Sequence, residues 1–390
     1  MNRPVAVLRI LTRPNLGGPT RQAVALWHAH AALGIETLLV TGRVDGSEAM
    51  LSPAAAGVPR LLRSAVLAGG RPCGWLELEE LGRGIAPWRD WLARRALVAL
   101  LRAWRPDVVH THTSKAGWLG RAAARQCEVP VIAHTFHGHV LQDYFGRLRS
   151  RWLVQLETAL AARTHLLFAV SDSCADELAA LGVAARERFT VVPPAVAGSP
   201  LRPRALARQA LGIATDERRA VAVGRLVAIK RLGDFVAAIA GLPGWRGDLV
   251  GDGPERAALA AASERTAAGR VLLRGAVPEI ASLLPAYDAL VLPSVREGCP
   301  LVAVEAFAAG VPVLGYDVPG VRDVLSRWGR GLLIPAADGP AGLRAALGRL
   351  VLEPQLGTAC ATASRDGIGR FAPAAVAAQL AAAYRKALGG

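Results

Sequence analysis

The sequence predicts an α/β protein of two doubly wound domains facing each other across a central cleft. Three observations lead there. Short Val/Leu/Ile runs recur along the chain, each followed by a longer Ala/Leu/Arg segment with helical spacing. Continuous apolar strands alternating with helices make parallel sheets covered on both faces. The 390 residues are long for one core and ordinary for two. A stretch rich in Pro, Gly and Arg, AVAGSPLRPRA (195–205), parts one set of runs from the other and reads as a linker.

In order, the first set is VAVLRILT (5–12), IETLLVTG (35–42), DVVHTH (107–112), VPVIAHTF (129–136), HLLFAVSD (165–172) and FTVVPP (189–194). The second is AVAVG (220–224), DLVG (248–251), VLLRG (271–275), ALVLPS (289–294) and VPVLGYD (311–317). This sets an N-terminal domain over 1–200 and a C-terminal domain over 201–372, followed by a helical Ala/Leu pattern over 373–390. Ligands of doubly wound sheets bind beyond the carboxyl ends of the strands, so functional residues are expected just after these runs.

Composition narrows the class. With 52% hydrophobic and 20% charged residues, disorder is excluded. The formal charge of +15 is spread over both halves and is not a basic tail. It fits an anionic membrane surface or anionic small ligands; no nucleic-acid-binding module is present, so no nucleic-acid partner is expected. Cys73, Cys127, Cys174, Cys299 and Cys360 are scattered without a Cys-x-x-Cys pair, which argues against a disulfide framework or a zinc ribbon. The sequence has neither a signal-peptide pattern nor a run of about 18 apolar residues, and the expectation is a cytoplasmic protein.

Two stretches mix aromatic and basic residues. One runs from Trp75 to Trp104, with Trp88, Trp91, Arg89, Arg94, Arg95 and Arg102; the other is DYFGRLRSRWLVQL (143–156). They read either as amphipathic helices on anionic lipid at the inner face of a membrane or as ordinary surface helices with arginine stems over apolar neighbours.

The segment SVREGCPLVAVEAFAAGVPVLGYDVPG (294–320) is the most informative. A strand ends, a tight turn follows, and Pro300 suits the first helical position. The helix start offers free N–H groups for a phosphate or a sugar hydroxyl. Glu297 and Glu305 suit a hydroxyl-rich ligand, with helix-dipole partnership as the plain alternative. In VGRLVAIKRLGDF (223–235), Arg225 follows a strand and Lys230 opens the next helix. The chain has three lysines against 43 arginines, so Lys230 is not there for general solubility. A phosphate partner is the favoured reading over a surface ion pair.

In the first half, NLGGPTRQAVALWHAHAALG (15–34) places Gly17 and Gly18 in a strand-to-helix loop. RPDVVHTHTSKAGWLGRAAA (105–124) and VIAHTFHGHVLQDYFG (131–146) hold five of the eight histidines. His110 and His112 alternate along one strand, and His137 and His139 repeat the spacing. A metal site is conceivable, but no acid or cysteine at ligand spacing completes it. His110 and His134 read as core histidines. His137, beside Gly138 at a strand end, reads as functional.

These segments, with VGDGPERAAL (250–259) and RGAVPEIASLLPAYDALVLPS (274–294), resemble retaining GT-B glycosyltransferases of family four, closely over about 220–335 and more loosely in the first half. The resemblance implies two Rossmann-like domains and a C-terminal helix that crosses back to the first. It also implies roles. Arg225 and Lys230 bind and stabilise the departing diphosphate, Glu305 holds the ribose, and Glu297 holds the transferred sugar. The backbone of Gly298, Cys299, Pro300, Leu301 and Val302 lies near the diphosphate and sugar. Arg274, Gly275 and Ala276 lie near the base, and Gly17 and Gly18 belong to the donor loop. His137 joins Glu297, Arg225 and Lys230 in the catalytic set, and Lys115 and His112 lie on the acceptor side. The substrate is a UDP- or GDP-linked sugar, and the acceptor is lipid-linked or a saccharide in cell-surface polysaccharide or glycolipid assembly. No Asp-x-Asp occurs, so no metal and no cofactor are expected. The sequence departs from the family pattern at Ala195 and Ala197, where a glycine and an acid are usual, and at Asp323, usually Glu.

Two other readings share this fold: a nucleotide-sugar epimerase or hydrolase, which would act on the donor alone, and a binder that has lost turnover. Arg225, Lys230, Glu297, Glu305 and His137 together argue against both. A nicotinamide dehydrogenase is set aside, because neither half carries Gly-x-Gly-x-x-Gly with a downstream acid.

Overall fold

A computed structural model describes residues 3–15, 17–44, 50–138, 147–328, 331–353, 355–357 and 367–389, without the side chains of 147–149 and 327–328. His139, Cys360 and the first part of the 143–156 stretch lie outside the described residues. The chain divides into two compact units, Met1–Ala197 with Phe371–Gly390, and Gly198–Arg370.

The first unit is built on β1 (Ala6–Leu11), β2 (Glu36–Thr41), β3 (Gly74–Glu77), β4 (Val108–His112), β5 (Val131–Phe136), β6 (Leu166–Ala169) and β7 (Phe189–Val191). They pair in the order β3-β2-β1-β4-β5-β6-β7, every pair parallel. The sheet is crossed by α1 (Gly18–Ala32), α2 (Arg63–Leu67), α3 (Pro87–Trp104), α4 (Ser114–Gln126), α5 (Arg147–Ala161) and α6 (Asp172–Ala180). The strand order reverses between β1 and β4, and in that register Arg9 sits beside His110.

The second unit holds β8 (Arg218–Val223), β9 (Trp245–Val250), β10 (Val271–Gly275), β11 (Ala289–Leu292), β12 (Val313–Tyr316) and β13 (Leu332–Ile334), in the order β10-β9-β8-β11-β12-β13, again all parallel. Its helices are α7 (Arg204–Leu211), α8 (Leu232–Ala240), α9 (Arg256–Ala267), α10 (Ile280–Leu283), α11 (Leu301–Ala308) and α12 (Gly339–Leu352).

Two readings from the sequence need correction. β3 and β13 were not anticipated: β3 opens on Gly74 and Trp75 rather than a Val/Leu/Ile run, and β13 is three apolar residues closed in between Gly331 and Pro335. The stretch from Trp75 to Trp104 is also not one amphipathic face. Trp75 lies in β3, buried, with Nε1 donating to Thr41 Oγ1 at 2.9 Å, and Trp104 is buried at the end of α3. Only Trp88 and Trp91 are exposed.

The last helix, α13 (Pro373–Ala387), belongs to the first unit. Its Val376, Ala377, Leu380, Ala381 and Tyr384 are buried in one cluster with Val7, Leu26, Val108 and Phe168. Among the described residues no helix is long and apolar enough to cross a membrane. Truncating a buried leucine removes transfer free energy and leaves a cavity, so Leu380→Ala should cost about 2–5 kcal/mol in urea unfolding. A cost under about 0.5 kcal/mol would mean that α13 contributes no core.

Candidate functional site

In the second unit, three adjacent strands end in glycines with positive φ: Gly224 after β8, Gly251 after β9 and Gly275 in β10. The reason is close backbone crossing. A Cβ on Gly251 would come 1.9 Å from the Gly224 carbonyl oxygen, and one on Gly253 would come 2.4 Å from that of Leu226. The result is a side-chain-free floor at the carboxyl edge of the sheet.

Arg225 stands exposed directly above this edge. The chain then makes a single 3-10 turn, Ala228–Lys230, and Arg231 at φ 45 redirects it into α8. Lys230 therefore closes this turn, one residue before the left-handed break that precedes the helix. Its stem lies over Gly224, 3.4 Å from where a Cβ would be, and its Nζ pairs with Glu297 Oε1 at 2.5 Å. The same oxygen accepts from Ser294 Oγ at 2.7 Å. The loop after β11 is fixed at both ends. Val295 N–H donates to the Ile229 carbonyl at 2.9 Å, and Gly320, at φ 78, is packed so tightly that a Cβ would meet the Glu297 carbonyl oxygen at 2.1 Å.

Gly298 and Cys299 follow, half-buried, and Pro300 is the N-cap of α11 rather than its first residue. Leu301 and Val302 form the first turn, whose N–H groups have no side-chain cap, and Glu305 is buried one turn on. Thus Arg225, Lys230, Glu297 and the start of α11 share one sheet edge.

Arg274 points elsewhere. Its Nε donates to Asp248 Oδ2 at 2.6 Å and its Nη1 to the Leu211 carbonyl at 2.8 Å. Asp248 is fully buried and also receives Arg219 Nη1 at 2.8 Å and Tyr287 O–H at 2.9 Å. Burial and that carboxylate push the Tyr287 phenol far up. The Arg274 side chain therefore ties strands together, and only backbone at Arg274, Gly275 and Ala276 is left at the edge.

In the first unit, His112 at the end of β4 and His137 just after β5 meet, Nδ1 to Nε2, at 2.9 Å. Arg9 of β1, fully buried, places Nη1 2.9 Å from His112 Nε2 and 3.4 Å from His110 Nδ1. His110 Nδ1 also lies 2.5 Å from Tyr384 Oη of α13, and its Nε2 lies 2.7 Å from Thr135 Oγ1. His134 bonds Thr111 Oγ1 at 2.8 Å. The sequence reading missed Arg9, His30 and Tyr384 in this group. An arginine inside VAVLRILT was the available signal for Arg9, because a charge in a strand covered on both faces needs a polar partner.

Lys115 is not part of this group: its ammonium is buried against Asp90 Oδ1 at 2.5 Å and the Gly84 carbonyl, holding the start of α3. Gly17 is the N-cap of α1 with φ −77, a conformation open to any residue, and Gly18 begins the helix. Among the described residues no group of three or more His, Cys, Asp or Glu is arranged to hold a metal.

The family model described as Glycosyltransferase Family 4 matches residues 16–197, and the one described as Glycosyl transferases group 1 matches 217–353. The chain is 32% identical to the 2-deoxystreptamine N-acetyl-D-glucosaminyltransferase of Streptomyces fradiae, covering 72% of each protein. It is 30% identical to the D-inositol 3-phosphate glycosyltransferase of Thermobispora bispora, over 98% of this chain and 95% of that protein. HepE of Anabaena, solved in complex with UDP and glucose, superposes with a TM-score of 0.75 at 17% identity, covering 98% and 100% of the two chains. The two doubly wound units are those of the GT-B fold. The chain belongs to the family-four, group 1 glycosyltransferases.

The histidine cluster makes stability depend on pH. Burial, then the Arg9 charge, holds His30 and His110 well below the usual histidine value and His137 at about 3; burial, then His110 and Arg9, holds His112 well below it too. Burial and then Arg121 do the same to His134. In the unfolded chain these groups titrate near 6.5. Below that value the unfolded chain binds protons that the folded chain refuses. The stability is therefore intact above about pH 6.5 and is lost as pH falls toward the folded values, by up to about 1.4 kcal/mol per pH unit and histidine. The urea midpoint should drop clearly between pH 7.5 and 5.5; a flat profile would mean that the histidines are in contact with water.

Proposed function

We propose that the chain transfers a sugar from a UDP- or GDP-linked donor to an acceptor hydroxyl with retention of configuration and without a metal ion. The observation that carries this is the grouping of Arg225, Lys230, Glu297 and the uncapped start of α11 over a floor of glycine backbone. A diphosphate needs two fixed cations and free N–H groups. The floor lets its oxygens approach the backbone, and Glu297 beside Lys230 suits the hydroxyls of the attached sugar.

In the proposed reaction the bond from the anomeric carbon to the phosphate oxygen breaks as the acceptor oxygen bonds to the same face. The acceptor proton passes to the departing phosphate oxygen. Negative charge grows on the diphosphate, and Arg225 and Lys230 lower the barrier because they are already in place. His137, neutral and half-buried just after β5 of the first unit, suits a hydrogen bond to a sugar hydroxyl.

For the acceptor, the two curated relatives are named for 2-deoxystreptamine and D-inositol 3-phosphate, small polyhydroxylated rings, which supports an acceptor of that kind. A lipid-linked acceptor is supported by a surface feature. Ile85, Trp88 and Trp91 are exposed, the two indoles stack 4.9 Å apart, and Arg95 lies 4.6 Å over the Trp91 ring. Arg83 and Arg94 are exposed beside them. Indoles among arginines fit the headgroup region of an anionic membrane.

Two measurements test these readings. A nucleotide at about 100 times its dissociation constant adds about 2.7 kcal/mol of stability. One of UDP and GDP should raise the melting temperature of the wild type without magnesium, and Lys230→Ala should abolish the rise; no shift from any nucleoside diphosphate would remove the transferase reading's main support. Flotation with phosphatidylglycerol vesicles at low salt should carry the wild type and release the Trp88→Ala/Trp91→Ala variant. Absence of flotation would leave the small polyol acceptor alone.

A further inference from the structure

The donor and acceptor roles in the first unit's buried cluster can be assigned atom by atom. A guanidinium only donates, and it keeps its proton at any working pH. Arg9 Nη1 lies 2.9 Å from His112 Nε2, so that nitrogen must be bare. The neutral His112 ring then carries its proton on Nδ1, which faces His137 Nε2 at 2.9 Å and donates to it. His137 Nε2 is therefore an acceptor, and the proton of this neutral ring sits on Nδ1. A parallel branch obeys the same logic. His110 Nδ1, with Arg9 Nη1 at 3.4 Å and Tyr384 Oη at 2.5 Å, accepts, and its Nε2–H donates to Thr135 Oγ1 at 2.7 Å.

Without the cation the His112–His137 pair has two equivalent polarities. In the reversed one, His112 holds its proton on Nε2, His137 donates through Nε2, and His137 Nδ1 becomes a bare acceptor. Arg9 has no hydrogen-bonded carboxylate among the described residues, so its charge acts undiluted on the rings it touches. Placing an unpaired guanidinium inside a sheet is costly, and the directed relay is what that placement achieves.

We propose that Arg9, acting through His112, is a positioning residue that fixes His137 in its Nδ1–H tautomer, so that His137 presents a hydrogen-bond donor to its ligand. The ligand is a sugar hydroxyl, and this part rests on the transferase reading above. His112 is thereby an indirect participant, held between Arg9 and His137 in the interior, rather than a group that meets the acceptor.

The test is a two-bond proton–nitrogen correlation spectrum of the free protein labelled with 15N-histidine, which tells protonated from bare ring nitrogens. In the wild type, His112 and His137 should both show Nδ1–H with Nε2 bare. Arg9→Met should reverse or mix the pair, and Arg9→Lys, which keeps a buried donor, should restore it. With a donor sugar, Arg9→Met should lower turnover about tenfold or more, while the melting shift given by the nucleoside diphosphate alone is unchanged. Nε2–H on either ring in the wild type overturns the relay, and that spectrum needs no variant to fold. An altered tautomer with unaltered turnover overturns its functional part. Nδ1–H on both rings together with no nucleotide binding leaves the relay standing and sinks the transferase reading, so the two failures are distinguishable.

Discussion

A parallel strand delivers its carboxyl end to one edge of the sheet, and everything chemical in this chain follows from that constraint. Because every described pair of strands in each unit runs parallel, each crossover returns the chain to the same starting edge. The residues just after the strands are then collected at the opposite edge from distant parts of the sequence. Lys230 and Glu297 meet in this way. So do His112 and His137, and Arg9 reaches His112 from within β1, an approach fixed by the register that sets Arg9 beside His110 and His112 beside Thr135. A slip of one residue would turn Arg9 to the opposite face of the sheet.

Both units bury an arginine against a carboxylate, Arg121 in the first meeting Glu157 Oε1 at 2.6 Å, but Arg9 is treated differently from the arginines of the second unit. In the second, Arg219 and Arg274 converge on the fully buried Asp248, with Tyr287 as a further donor. Glu217, accepting from Arg219 Nε at 2.6 Å, supplies the second carboxylate that balances the charges, and the network stitches β8, β9 and β10 together. In the first, Arg9 faces neutral imidazoles and a phenol. Imidazoles beside a cation in a water-poor interior stay unprotonated, which makes them hydrogen-bond relays rather than charges. The Asp248 arrangement is built for rigidity. The Arg9 arrangement transmits direction.

Much of this was legible in the sequence, and the gaps have physical causes. Buried strands announce themselves as apolar runs, so β1, β4, β5, β8 and β11 and the residues after them could be placed. β3 begins with Gly74 and Trp75, whose partner Thr41 lies 34 residues away, and β13 is three apolar residues between Gly331 and Pro335, so neither stands out as a Val/Leu/Ile run. Lys230 and Glu297 stood out through rarity and spacing. Lys115, equally rare, looked alike and is a buried ion pair with Asp90, a distinction that only tertiary contact can make. Arg274 likewise sits at a strand end, but its side chain turns inward to a carboxylate on the neighbouring strand. Tyr384 in the His110 contact was beyond reach, since 274 residues separate the two.

The Lys230–Glu297 pair bears on how such a site exists before any ligand arrives. Two lone cations over a glycine floor would repel one another and the positive end of α11. Glu297, anchored by Ser294 and by the loop that Gly320 clamps, neutralises the nearer cation at 2.5 Å. Arg225 is left exposed and outside that pair. In the proposed reaction a diphosphate, with more charge than one carboxylate, would share the ammonium without displacing Glu297 from Ser294. Glu297 keeps an acceptor oxygen toward any hydroxyl that follows the phosphates. Preorganisation here lies in a pair that is already formed: the cation is held in place by the same carboxylate to which the proposed function gives the sugar, and in that reaction neither would have to be recruited.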